Sequence, residues 1–297
     1  MDEIDQDLEH QYSCSRWSKR FTPDDIINNY FSCIANESRK VKKEIDCKLD
    51  IRYGPRLREK MDVFGLHNLP LEAPIFVFLH GGYWVIGSRE DSSVYVSPLH
   101  HCGIICITVG YNLAPEVTID VIIDGVRNAV NFILWLAALR GSKGVYLCGH
   151  SAGAHLIATC MSSNVNAIPN THMVKGLFLL SGIYDLRPLV KTTFGLKALI
   201  TSNLAVENSP LLLLKEMAQN LDISCQVLVI VADCDSPSFK LQAEQYVKGL
   251  QSNGISVEYQ VIPENDHFSI IERLKDPNFA LTKEFIRRVT PVIKLRD

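Results

Sequence analysis

The chain has 297 residues, 47% hydrophobic and 21% charged, the balance of a globular protein long enough for a sizeable core. Thirty Lys and Arg against 33 Asp and Glu leave a net charge of −3, so neither nucleic acid nor an anionic membrane is expected as a partner. The 9 cysteines are odd in number and include no CxxC pair, which argues against a disulfide framework or a zinc site, and the acidic start MDEIDQDLEH is unlike a secretory signal and points to a cytoplasmic location.

Residues 1–45 open with the aromatic, basic QYSCSRWSKRF and continue into one amphipathic helix with a Thr-Pro start, TPDDIINNYFSCIANESRKVKKEI. CKLDIRYG (47–54) and EKMDVFG (59–65) alternate in polarity and suit an antiparallel edge pair. PIFVFLH (74–80), IICITVGY (104–111), VYLCGH (145–150), GLFLLSG (176–182) and QVLVIVAD (226–233) are apolar on both parities, as strands buried on both faces of a parallel sheet are. VEYQVIP (257–263) is a further strand ended by Pro263. Helices are expected over 118–140, with Gly141 as the stop, and over 236–254, where Ser236-Pro237 caps the start. The stretch from about 185 to 224 is mainly helical and reads as a cap inserted between two strands. The whole predicts one α/β domain, 1–297, with a mostly parallel sheet of about eight strands and helices on both faces.

Gly149-His150-Ser151-Ala152-Gly153 matches G-x-S-x-G, placed directly after an apolar strand and before a helix. A nucleophilic serine there sits on a sharp strand-to-helix turn, and bulky neighbours two residues away would collide with it. Its base should follow the last strand, which selects His267 in IPENDHFSII; His80 and His150, inside the two glycine motifs, suit turn shaping better than proton transfer. The acid lies between them in chain order. Asp235 in VADCDSPSF is favoured because it stands farther beyond the strand end, Asp233 is the alternate and Asp185 a third choice. His80-Gly81-Gly82 follows the third strand, where backbone N–H groups of Gly81 and Gly82 join that of Ala152 in an oxyanion hole.

These residues resemble the α/β-hydrolase fold near the hormone-sensitive-lipase and carboxylesterase branch, which Tyr111-Asn112-Leu113-Ala114-Pro115-Glu116 also resembles. That branch usually carries H-G-G-G, whereas His80-Gly81-Gly82-Tyr83-Trp84 resembles the H-G-G-x-W of the kynurenine formamidases (arylformamidases). The segments LEHQYSCSRWSKRF (8–21) and ADCDSPSF are similar to that family as well. The resemblance implies hydrolysis of N-formyl-L-kynurenine to L-kynurenine and formate through a formyl-enzyme on Ser151, with no cofactor and no metal. It also implies an aromatic leaving-group site, for which Tyr83, Trp84, Tyr184, Phe239 and Phe268 are the candidates. A carboxylesterase of short acyl esters is the alternative. A non-catalytic module on this fold would dispense with the serine or histidine, and both are present. A homodimer stays open.

Overall fold

Runs that are apolar at every position become strands only where both faces of the sheet are covered, since side chains alternate across it. In the computed structural model, which describes residues 3–162 and 168–290, the sheet contains β1 (Cys47–Arg52), β2 (Lys60–Phe64), β3 (Ile75–Leu79), β4 (Ile105–Val109), β5 (Val145–His150), β6 (Val174–Leu180), β7 (Gln226–Ala232) and β8 (Val257–Ile262). Their order is β1-β2-β4-β3-β5-β6-β7-β8. β2 runs antiparallel to both β1 and β4, and every other neighbouring pair is parallel. This is the α/β-hydrolase sheet, and the expected strands are its strands.

The helices are α1 (Gln6–Tyr12), α2 (Pro23–Glu44), α3 (Val96–His101), α4 (Ile119–Arg140), α5 (Ala152–Met161), α6 (Thr193–Lys197), α7 (Ser202–Glu207), α8 (Leu214–Asn220), α9 (Pro237–Ser252), α10 (Ser269–Glu272) and α11 (Ala280–Val289). α2 starts where Thr22 accepts the Asp25 N–H, and α4 stops at Gly141, whose φ of 68° is the left-handed cap that glycine supplies. The 185–224 stretch is divided among α6, α7, α8 and short 3₁₀ turns.

The two-residue period of β3 separates two cores. Ile75, Val77 and Leu79 pack with α4 and α5, whereas Phe76 and Phe78 face the opposite layer. There the Phe76 ring stands 5.3 Å from both Tyr95 and Phe285. Truncating such a buried ring costs about 3–5 kcal/mol.

The N-terminal region holds an element that the amphipathic pattern did not indicate. α1 is tied to α6 and α9 rather than to the sheet. The Glu9 carboxylate accepts the Thr193 N–H at 2.8 Å, and Gln242 Nε2 donates to the Tyr12 hydroxyl at 2.6 Å.

Candidate active site

Ser151 sits between β5 and α5 at φ 54°, ψ −117°, a conformation L-residues rarely hold. The elbow persists because its surroundings over-determine it. The Ser151 N–H donates to the Leu180 carbonyl at 2.8 Å. A Cβ on Gly149 would come within 2.4 Å of the Gly153 backbone, and one on Gly153 within 2.2 Å of the Leu79 carbonyl oxygen. Only glycine lets strand, turn and helix approach this closely.

The loop after β3 is held by its own polar bonds. The Tyr111 hydroxyl donates to the His80 carbonyl at 2.7 Å, and the Ala114 N–H donates to the Trp84 carbonyl at 2.8 Å. Tyr111 also stacks on His80 with centroids 4.2 Å apart. Gly82 has φ 116°, and a Cβ there would meet the Ile86 carbonyl oxygen at 2.2 Å. Gly81, Gly82 and Ser151 line one cavity of about 660 Å³, within the range for small-molecule sites; Ala152 is fully buried at the start of α5.

His267 follows β8 and lines the same cavity. Its Nδ1 lies 2.8 Å from Asp235 Oδ1, and that carboxylate also accepts the Ser181 hydroxyl and the Ala232 N–H. Asp233 is exposed, and its backbone carbonyl accepts Lys240. Asp185 pairs with its neighbour Arg187 at 2.8 Å. Of the three acids considered, Asp235 alone is hydrogen-bonded to His267. Burial by itself would lower the His267 pKa, but the adjacent Cys14 sulfur and the Asp235 carboxylate outweigh it and hold the imidazole well above its ordinary value, at about 10.

Two of the five aromatic candidates line the cavity, Tyr83 and Phe268. Tyr83 stacks on Phe194 with centroids 4.4 Å apart, and its hydroxyl donates to the Tyr12 carbonyl. Trp84, Tyr184 and Phe239 lie in the core instead. Trp84 is fully buried with its ring edge-on to His155 at 5.0 Å. Tyr184 stacks flat on Tyr246 at 4.2 Å. Phe239 is 1% exposed and backs the His267 ring at 5.1 Å from the side of α9. The reason for Trp84 is local: Tyr83 and Trp84 both have positive φ, at 50° and 61°, so the chain coils tightly and neighbouring aromatics part company.

The cavity wall also contains residues that motif reading did not reach. Cys14 from the N-terminal segment, Tyr30 and Phe31 from α2 and Phe194 from α6 all contribute. Arg20 binds Asp266, the residue before His267, through Nε at 2.7 Å and a second nitrogen at 3.0 Å, and reaches Glu272 at 2.7 Å. Ser18 Oγ donates to the same Asp266 carboxylate at 2.6 Å. For Cys14, Ser18 and Arg20 the signals in the sequence are the aromatic, basic character of their segment and its family resemblance over 8–21.

Residues 76–270 match the model of a family described as alpha/beta hydrolase fold. The chain is 37% identical over 283 residues to a kynurenine formamidase of Danio rerio, covering 95% of this chain and 96% of that protein. A kynurenine formamidase of Drosophila melanogaster is 29% identical, with 91% of each chain covered. Among solved structures, a putative thioesterase from a Silicibacter species superposes with a TM-score of 0.75 at 27% identity, covering 93% of this chain and 97% of that one.

Proposed function

The chain belongs to the kynurenine formamidase family of α/β-hydrolases, and on that footing we propose that it hydrolyses N-formyl-L-kynurenine to L-kynurenine and formate with Ser151, His267 and Asp235 as its catalytic triad. The observation that carries the triad is the 2.8 Å bond between His267 Nδ1 and Asp235, made at the wall of the cavity that Ser151 also lines. His267 Nε2 takes the Ser151 proton as the hydroxyl attacks the formyl carbon, while Asp235 fixes the tautomer and stabilises the imidazolium. N–H groups of Gly81, Gly82 and Ala152 receive the oxyanion, a contribution of about 10²–10³ in turnover per donor. His267 then protonates the departing aniline nitrogen, and water releases formate from the formyl-enzyme. A formyl group offers almost nothing to recognise, so selectivity rests on the leaving group. Tyr83 and Phe268 flank it, and Phe194, Leu196 and Leu199 of α6 and the residues after it add to its wall.

The test compares kcat/KM for N-formyl-L-kynurenine with that for a short p-nitrophenyl ester, in the wild type and in Ser151→Ala. The formamide should be the better substrate, and Ser151→Ala should abolish both activities. Ester turnover faster by orders of magnitude would favour a carboxylesterase, and formamide activity surviving in Ser151→Ala would overturn the mechanism.

A further inference from the structure

His150 is 3% exposed and lines the cavity beside the nucleophile, yet neither ring nitrogen has a hydrogen-bond partner. Its ring centroid stands 4.6 Å from that of His267, whose backbone lies close by without reaching hydrogen-bond geometry. On the other side Nδ1 borders the oxyanion loop, where a methyl group at Gly81 would approach it to 2.9 Å. The imidazole is thus wedged between the nucleophile, the oxyanion loop and the general base.

Bare nitrogens at such a place need a cause, because an unsatisfied buried polar atom costs about 1–3 kcal/mol. Three neighbouring polar side chains in the cavity wall are engaged. His80 Nδ1 is 2.8 Å from the Gly81 carbonyl, the Tyr83 hydroxyl donates to the Tyr12 carbonyl, and Ser92 Oγ donates to the Ser88 carbonyl at 2.5 Å. Burial, reinforced by the neighbouring His267, pushes the His150 pKa well below its ordinary value, so the ring is neutral and offers one N–H and one lone pair.

Both nitrogens are closed off from solvent, so the ring or the loop beside it must shift slightly before a ligand meets that N–H, and the position limits which ligand can. A group met beside Ser151 must lie within a few bonds of the scissile carbon. On the proposed substrate the amino-acid end is too remote, and the formyl oxygen belongs to the oxyanion loop. What remains is the aryl ketone oxygen ortho to the leaving nitrogen. We infer that His150 is a specificity-determining residue that donates a hydrogen bond to a carbonyl ortho to the scissile nitrogen, so that the site selects formamides of ortho-acyl anilines. This rests on the formamidase reading of the same cavity.

The experiment uses 2′-formamidoacetophenone and its 4′-isomer, which share the electron-withdrawing acyl group but differ in where the carbonyl lies. The wild type should prefer the ortho isomer, and His150→Phe should lower the ortho-to-para ratio of kcat/KM at least tenfold. His150→Asn, which keeps an N–H donor, should retain part of that ratio. A thermal melt and p-nitrophenyl acetate turnover report whether the fold and the nucleophile survive in each variant. An unchanged ratio in a folded His150→Phe overturns the inference, as does an equal loss on both isomers, which would mean that the ring only aligns the triad. Wild-type failure on N-formyl-L-kynurenine would refute the proposed function instead, leaving the isomer ratio to judge His150.

Discussion

Arg20 lies 247 positions from His267 in the chain yet holds the residue directly before it. Asp266 has a side chain 2% exposed, and its carboxylate accepts two Arg20 nitrogens, Ser18 Oγ and the N–H groups of Phe268 and Ser269. Arg20→Gln removes the cation and leaves the other three donors, so the buried charge is only partly abandoned. Breaking a fully buried pair costs about 3–5 kcal/mol. Arg20 keeps 35% of its side chain in solvent, which screens it and brings the expected loss down to about 2–3 kcal/mol. At about 2–4 °C per kcal/mol for a chain of this size, the melting temperature should drop by roughly 5–10 °C. The pH dependence is the sharper signature. Burial would raise the Asp266 pKa, but Arg20, Ser18 and the Ser269 N–H outweigh it and hold it at about 2, below its ordinary value. A depressed carboxylate stabilises the fold above its unfolded pKa, and that contribution fades as pH falls through the folded value. The gap between wild type and Arg20→Gln, measured by melting at pH 7, 5, 4 and 3, should therefore be full at pH 7 and narrow below about pH 4. Because the loop carries His267, kcat should fall by about tenfold to a hundredfold, as misplacement near 1 Å does, with Arg20→Lys intermediate. A gap that is absent, or constant from pH 7 to 3, refutes this account.

Four further outcomes follow from the geometry. Asp235→Asn should lower kcat by about 10⁴ by spoiling the imidazole tautomer, while the exposed Asp233→Asn stays near wild type; the reverse pattern in steady-state kinetics would move the acid to Asp233. On the proposed mechanism His267 must be neutral to act as the base, and its neighbours raise its pKa, so kcat/KM should climb with pH with a midpoint above 6.5. Cys14→Ala removes one of the groups that favour the imidazolium, and the midpoint of the pH–rate profile should move to lower pH; no movement would take Cys14 out of the electrostatics of the site. Trp84→Ala should cost about 3–5 kcal/mol in urea denaturation as a core cavity while Phe268→Ala raises KM with a smaller stability loss, because Trp84 is fully buried in the core and Phe268 lines the cavity.

How much could be read from the chain divides along physical lines. The sheet was legible because a strand buried on both faces must be apolar on both parities, which β3 to β7 obey without reference to anything distant. The elbow was legible because steric exclusion at Gly149 and Gly153 writes glycine into fixed positions beside Ser151. The neighbourhood of Asp235 and His267 follows from the order in which parallel strands deliver their carboxyl ends to one edge. Contacts made across the fold leave no such trace. Nothing local marks Arg20 as the partner of Asp266, or Cys14 as a neighbour of His267, because each depends on where α1 and the segment after it come to rest.

The aromatics failed for a different reason. Sequence proximity to the oxyanion loop held for both Tyr83 and Trp84, and consecutive positive φ angles sent one to the cavity and the other against His155. A side chain's direction in such a coil is decided by backbone angles that composition does not encode. The same limit applies to His150, which motif reading took for a turn-shaping residue. Its place in G-x-S-x-G accounts for the backbone but makes no statement about the ring. A ring that merely filled space would be cheaper as a leucine or phenylalanine, with no nitrogen to desolvate. An imidazole kept neutral and unpaired beside a nucleophile is the more costly choice, and a hydrogen bond supplied by the substrate is what would offset it.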